Sequence, residues 1–421
     1  MKKAVPHLAF SRTQWPVLVG HIGVVSTRDD ALSSALRLLE TASQVSCALV
    51  DTPGIVALLS GLVDSSSSGG SAEGAPSAPD QPPPPPCATS TRLLALKCLR
   101  QLLVHAGYRS AALVEATSGA LAAACCAPDP SLRLAAYAAL AGAVTGSPLD
   151  GAAACVRAGF ADSLPLRVLS ELPEHGRGLP ALVEGALCAT RELLVSSGGR
   201  AARGIARALT SGLVGALLDA AALPSASEAT LDATMAMLAA LAADPAGGRP
   251  ALLAPAAAAR AFPALVAMLA YRAPGSRDMR VAAGAASALC TLAVVDEGKR
   301  EALRAFGGLP CGSDMEEKEL PGVSSAGHGL NALAAILIDA CVDGAPPPSA
   351  APAALAACGA ISTLSQHPTA RAAFMAAANI RRQVFEKFAE GAKQGRYGGP
   401  AISEALEKAC TGAWDAVLWK P

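Results

Sequence analysis

Apolar and polar positions follow a helical period along most of this chain. The stretch 279–310, MRVAAGAASALCTLAVVDEGKREALRAFGGLP, shows the unit. Apolar residues recur at three- and four-residue intervals, a charged turn follows, then a second short apolar run and a Gly-Gly-Leu-Pro break. The spacing predicts helix, turn, helix, turn. The anchor ALCTLA at 288–293 has counterparts: ALRLLE at 35–40, CLRQLL at 98–103, ALAGAV at 139–144, ATRELL at 189–194, MLAALA at 237–242 and AISTLS at 360–365. Most are followed by a polar or Gly-containing break, a short helix, a Gly- or Pro-marked turn and another apolar helix. PGIVALLSGLV (53–63), GFADSLPLRVL (159–169) and AFPALVAML (261–269) read as such second helices. Stacked helical repeats recur every ~40–47 residues. The spacing of 41 residues between the anchors at 98 and 139 fits directly, and the longer spacings need insertions.

The insertions are visible. Ser, Gly and Pro dominate 64–90, a composition that buries no core and predicts a disordered surface loop. Its prolines at 82–86 suit a stiff spacer or a polyproline ligand. Further inserted loops are expected at 312–329 and 343–352. Residues 5–25 are expected to cap one end of the array. SEALEKACTGAWDAVLWKP (403–421) is expected to cap the other as an amphipathic helix, with Trp414 packed on the preceding unit.

Composition narrows the class. Hydrophobic residues make up 52% of the chain but aromatics only 3%, so the apolar material is mostly Ala, Leu and Val, which favours helices over sheets. Lys and Arg total 34, as do Asp and Glu, so the basic excess of a nucleic-acid binder is missing. The 12 cysteines form no CxxC pair, and the 6 histidines do not cluster with them. They read as small buried hydrophobes of a reducing compartment rather than zinc ligands. The MKKAVPHLAF start is not a secretory signal, and no run reads as a membrane span. No P-loop, GxSxG, HExxH or GxGxxG motif occurs, so no catalytic residue, cofactor, metal or small-molecule substrate is expected.

The order of elements at 277–310 resembles an armadillo repeat, in which a long third helix ends in an Ala-Leu-x-x-Leu-Ala-type motif. The resemblance covers nearly the whole chain. It implies an all-α, right-handed armadillo-type solenoid of about seven units plus end caps over 1–421. In nuclear-import adaptors of that family each third helix resembles Trp-Ala-Leu-x-Asn. Here the Trp-equivalent positions are Ser34, Lys97, Ala138, Cys188, Ala236, Ser287 and Gly359. The Asn-equivalent positions are Leu38, Gln101, Gly142, Glu192, Ala240, Thr291 and Thr363. The import code is therefore absent. Three residues after the Trp-equivalent stand Arg37, Arg100 and Arg191 on the same helical face, with Lys97 beside them. These four either form a basic ladder for acidic side chains of a protein partner or are ordinary solvated positions with snorkelling stems.

WPVLVGHI (15–22), the EGKREAL turn (297–303) and the Val-Leu-Trp-Lys-Pro end (417–421) resemble the armadillo-repeat radial spoke subunits of motile cilia and flagella. That resemblance implies a non-catalytic scaffold in the axoneme that holds neighbouring spoke proteins, with no nucleic-acid or membrane partner. The alternative is a soluble cytosolic armadillo adaptor for chaperones or cytoskeletal proteins.

Overall fold

The computed structural model describes residues 36–37, 54–64, 88–106, 110–171, 180–197, 212–222, 226–271, 278–307, 328–340, 346–376, 382–397 and 399–418. Every regular element among them is a helix. The chain divides into two compact units, Met1–Gly204 and Ile205–Pro421.

In the first unit the helices are α1 (Ile55–Asp64), α2 (Thr89–His105), α3 (Ser110–Cys125), α4 (Pro130–Gly146), α5 (Asp150–Arg157), α6 (Phe160–Glu171) and α7 (Pro180–Ser197). The long helices α2, α4 and α7 form a row, each packed on the next. They carry the anchors at 98–103, 139–144 and 189–194 and occupy the third-helix position. Helices α1, α3 and α6 back that row. Between them lies a core of Leu and Ala: Leu96, Leu99, Leu132, Leu140 and Leu187 are at most 1% exposed. Each such leucine contributes about 1.5–3 kcal/mol on burial.

Local sequence sets the helix ends. Asp129 caps α4 by accepting a hydrogen bond from the Ser131 N–H at 2.8 Å, and Pro130 stands at the first helical position, where no N–H is needed. Arg92 is buried and donates from Nε to the Val63 carbonyl at 3.0 Å. This bond satisfies a C-terminal carbonyl of α1 and ties it to the first turn of α2, so the two ends of the 65–87 stretch are held together from outside it.

The second unit repeats the pattern. Its helices are α8 (Leu213–Ala222), α9 (Glu228–Ala243), α10 (Gly248–Leu253), α11 (Pro255–Leu269), α12 (Arg280–Leu292), α13 (Asp296–Ala305), α14 (His328–Ala340), α15 (Ala350–Leu364), α16 (Pro368–Ala376), α17 (Arg382–Lys393) and α18 (Pro400–Leu418). The third helices α9, α12, α15 and α18 pack in series, with α8, α11, α14 and α17 behind them. Short helices α10, α13 and α16 lead from one triplet to the next.

Glycine makes the turn between α5 and α6 and opens α8, whereas Ala254 joins α10 to α11. Gly159, between α5 and α6, has φ 83°, and Gly212, just before α8, has φ 91°. Only glycine takes that backbone without strain.

Several boundaries differ from the sequence reading. Within 64–90, Asp64 closes α1 and α2 starts at Thr89, while 65–87 lie outside the described residues. Of 312–329, residues 312–327 lie outside them, and α14 opens at His328. Helix α15 opens at Ala350, inside 343–352. Pro352 is accommodated because the first turn of a helix needs no N–H. Helix α18 begins at Pro400 and completes the triplet α16–α17–α18, so it is the third helix of an ordinary repeat. Trp414 meets Phe385 of α17 in that same triplet, with ring centroids 5.5 Å apart. Residues 5–25 and 419–421 are outside the described residues.

Candidate functional site

The surface on which the sequence placed its candidates is the exposed edge of the third helices. In the first unit, Lys97 and Arg100 lie one turn apart on α2, both exposed and without an ion pair among the described residues. The Arg100 stem lies over α4: a Cβ added to Gly142 would stand 3.3 Å from Arg100 Cγ. Arg37 is exposed and helical, and the preceding Leu36 carbonyl accepts a 3.5 Å bond from the Cys98 thiol, which brings this segment beside α2. Arg191 is on α7, half-buried, with its guanidinium 3.5 Å from Glu192.

The structure therefore brings Arg37 to the helix that carries Lys97 and Arg100, but not Arg191. Helix α4 lies between α2 and α7, and it presents Leu134, Ala138 and Ala141 at the corresponding edge. Adjacent packed helices are 8–10 Å apart, so Arg100 and Arg191 are separated by roughly 16–20 Å. That is about twice the screening length at physiological salt. The four cations are a local pair with Arg37 nearby and a partly neutralised outlier, not one continuous field.

The third helices of the second unit are built differently. Ala236, Ala240, Gly284, Ser287, Thr291, Gly359 and Thr363 form their edge. Close approach explains the small residues. A Cβ on Gly284 would lie 2.8 Å from Met235 Cβ, and one on Gly359 would lie 2.9 Å from Cys290 Sγ. Cys290 Sγ is 3.8 Å from the Thr363 hydroxyl. Burial pushes this thiol above its ordinary value and the hydroxyl opposes the shift.

Polar chemistry in this row collects at the helix N-termini. The buried Asp232 of α9 receives Arg280 Nη1 at 3.4 Å, and Arg280 Nε reaches Asp278 at 2.6 Å. The Met279 N–H donates to Ser349 Oγ at 2.9 Å, which links the start of α12 to the start of α15. Burial alone would raise the Asp278 carboxyl. The Arg280 N–H, the Ser349 hydroxyl and the Arg280 guanidinium outweigh burial and hold it below the usual carboxylate value.

Among the described residues no group of three His, Cys, Asp or Glu could hold a metal. No described helix is long and apolar enough to cross a membrane. Among the described cysteines, Cys98, Cys125, Cys155, Cys358 and Cys410 are buried and Cys126 is exposed.

No protein-family model matches the sequence, and no curated protein does. Solved structures match it in shape. A structure from work on the phosphorylation switch that controls the interaction between cadherin and beta-catenin aligns with a TM-score of 0.56, at 14% identity, over 96% of this chain and 67% of that one. The fold is armadillo-type. A designed armadillo repeat protein in complex with the peptide (KR)4 matches at TM-score 0.48 and 16% identity, over 66% of this chain and 99% of that one. An engineered protein matches at TM-score 0.48 and 18% identity, over 72% and 96%. At such identities the likeness is one of fold.

The sequence reading expected a Gly- or Pro-marked turn before each second helix, and the structure shows the backbone that the glycines take there. Gly54, Gly159, Gly212 and Gly307 all have positive φ; the first three immediately precede α1, α6 and α8, and Gly307 follows α13. The recurrent Gly followed by a bulky apolar residue (Gly54-Ile55, Gly159-Phe160, Gly212-Leu213) was the available signal. The close-approach glycines gave none, because whether a helical glycine faces a neighbour depends on packing.

Proposed function

We propose that this chain is a non-catalytic structural subunit of the axonemal radial spoke, holding neighbouring spoke proteins through its armadillo surface. The observation that carries the scaffold reading is the serial packing of third helices within each unit. Each leaves one edge exposed while its other faces are buried against the row and the helices behind it. Such a surface is long, rigid and built of repeated helix edges, which suits contact with protein segments. The spoke assignment rests on the sequence resemblance of WPVLVGHI (15–22), EGKREAL (297–303) and the terminal VLWKP (417–421). Lys97 and Arg100, with Arg37 beside them, are the best placed of the basic residues to take an acidic partner segment.

Fractionating a ciliated cell that expresses a tagged copy tests the assignment. The tagged chain should stay with the axoneme through salt extraction and be lost from axonemes that lack spokes. A purely cytosolic chain, or one retained normally without spokes, overturns the assignment in favour of a cytosolic adaptor.

A further inference from the structure

A second surface lies in the second unit, away from the third helices. Helix α11 is the second helix of one triplet, and α13, which packs on it, is the first helix of the next. Between them is an open groove of roughly 350 Å³. Leu253 and Phe262 form its apolar floor, and the exposed Pro255 and Pro263 flank it. Ligand sites usually run to about 300–1,000 Å³, so this one is sized for one or two side chains rather than a cofactor.

The polar groups are unevenly matched. Glu297, Glu301 and Arg304 of α13 stand on one wall. Arg304 is paired with Glu301. Glu297 is exposed and has no partner among the described residues. The nearby Lys299 is paired with Asp296, and Arg260 of α11 with Asp219. Arg300, one turn on from Glu297, is exposed and outside the groove lining, so the lining itself carries one negative charge in excess. A second acceptor lies opposite. Pro263 sits inside α11 and has no N–H, so the Ala259 carbonyl lacks its intrahelical donor, and both residues line the groove. A carboxylate and an under-used carbonyl beside an apolar floor call for a group with several N–H donors next to a bulky apolar side chain. An arginine guanidinium has five such donors in a fixed plane.

We propose that the α11–α13 groove docks a protein segment in which an arginine neighbours a bulky apolar residue: the apolar side chain rests on Phe262 and Leu253, and the guanidinium reaches Glu297 and the Ala259 carbonyl. The occupant is a protein segment rather than a small molecule, because the floor is short, open and acidic at one edge only. The inference is independent of the cellular location of the chain.

The test is selection of random twelve-residue peptides displayed on phage against the purified full chain, with binding to two variants measured afterwards. Glu297→Lys reverses the unmatched charge. Ala259→Trp fills the groove from an exposed position. Both sites are exposed, so circular dichroism should match the parent, with Glu297→Lys melting slightly lower because it places a cation in the first turn of α13. Should Ala259→Trp unfold, Glu297→Gln takes its place. Enriched peptides should carry arginine within a few residues of Leu, Phe or Trp and lose about tenfold or more in affinity on each variant. No enrichment, peptides with acidic flanks, or peptides that bind the variants as they bind the parent would overturn the proposal. Because the assay uses purified protein, a cytosolic location found in the cell would leave its result standing.

Discussion

Glu171 shows how one side chain holds several elements. It lies at the end of α6, is 8% exposed, and accepts from Arg133 Nε at 2.7 Å, Arg133 Nη2 at 3.1 Å and the Tyr137 hydroxyl at 2.9 Å. Burial first, and then the bond to Glu171, push the Tyr137 phenol far up, so it acts only as a donor. Arg133 also donates to the Ala127 and Pro128 carbonyls, which fixes the turn before α4. Glu171→Leu strands a phenol and most of a guanidinium and should cost about 2–4 kcal/mol in urea unfolding. Tyr137→Phe removes one bond and should cost about 1 kcal/mol. Equal effects of the two would show that the ion pair contributes nothing. Glycines give a contrast of sign. A Cβ on Gly298 would sit 1.9 Å from the Leu292 carbonyl oxygen, whereas one on Gly119 meets nothing within 4 Å. Gly298→Ala should destabilise by about 1–3 kcal/mol, while Gly119→Ala, exposed in the middle of α3, should stabilise by about 0.5–1 kcal/mol. Thermal melts of the two variants moving in the same direction would refute the close-approach account.

At the scale of elements, the third helices of the second unit are joined by small-residue contact along their length and by polar contact at their N-termini. Asp278 belongs to that polar contact, and its carboxyl is held below the usual carboxylate value when folded. A depressed folded value means that the charged form stabilises the fold above the unfolded value, and that this contribution is lost as pH falls through the folded one. The urea midpoint of the parent should therefore fall as the medium is acidified from about pH 5 to pH 2. The fall should be shallower in Asp278→Asn, whose midpoint starts lower at neutral pH. Parallel curves for the two proteins would remove Asp278 from the account. Helix α13 is the other element whose sequence and position reinforce each other. Asp296 and Glu297 stand in its first turn and Arg304 in its last, the arrangement the helix dipole favours. The same residues that stabilise its ends supply the wall of the α11–α13 groove.

For the whole molecule, the units are series of helical repeats in which each third helix covers its predecessor; most are triplets, but α3 and α4 follow α2 with only residues 106–109 between α2 and α3. The last one, α18, buries Leu406, Cys410, Ala413 and Val417, packing on α15 and α17. Truncation after Lys408 removes Cys410, Ala413, Trp414 and Val417 and leaves the outer face of α15 and the Phe385 ring uncovered. The truncated chain should aggregate on size-exclusion chromatography and lose cooperativity in its melt. A monomeric, fully helical product would show that α18 is dispensable and that α15 tolerates exposure.

The period of Ala and Leu determined helices, and the recurrence of the anchor determined triplets, because a 3.6-residue stripe of apolar residues must be buried and short helices can bury it only against each other. The anchors at 98–103, 139–144, 189–194, 237–242, 288–293 and 360–365 all fall on third helices. Sequence also located the breaks, since Gly and Pro act on their own backbone, although proline in a helical first turn hid the start of α15. It could place Arg37, Lys97, Arg100 and Arg191 on equivalent faces but not decide that α4 would separate Arg191 from the others. Sequence showed Gly284, Gly298 and Gly359 only as glycines, and packing made them points of contact. The partnership of Glu171 with Arg133, the open groove beside Phe262 and the unmatched charge of Glu297 were likewise decided in three dimensions. Each depends on which faces of distant helices meet, and side chains far apart in the chain acquire partners only when the triplets stack.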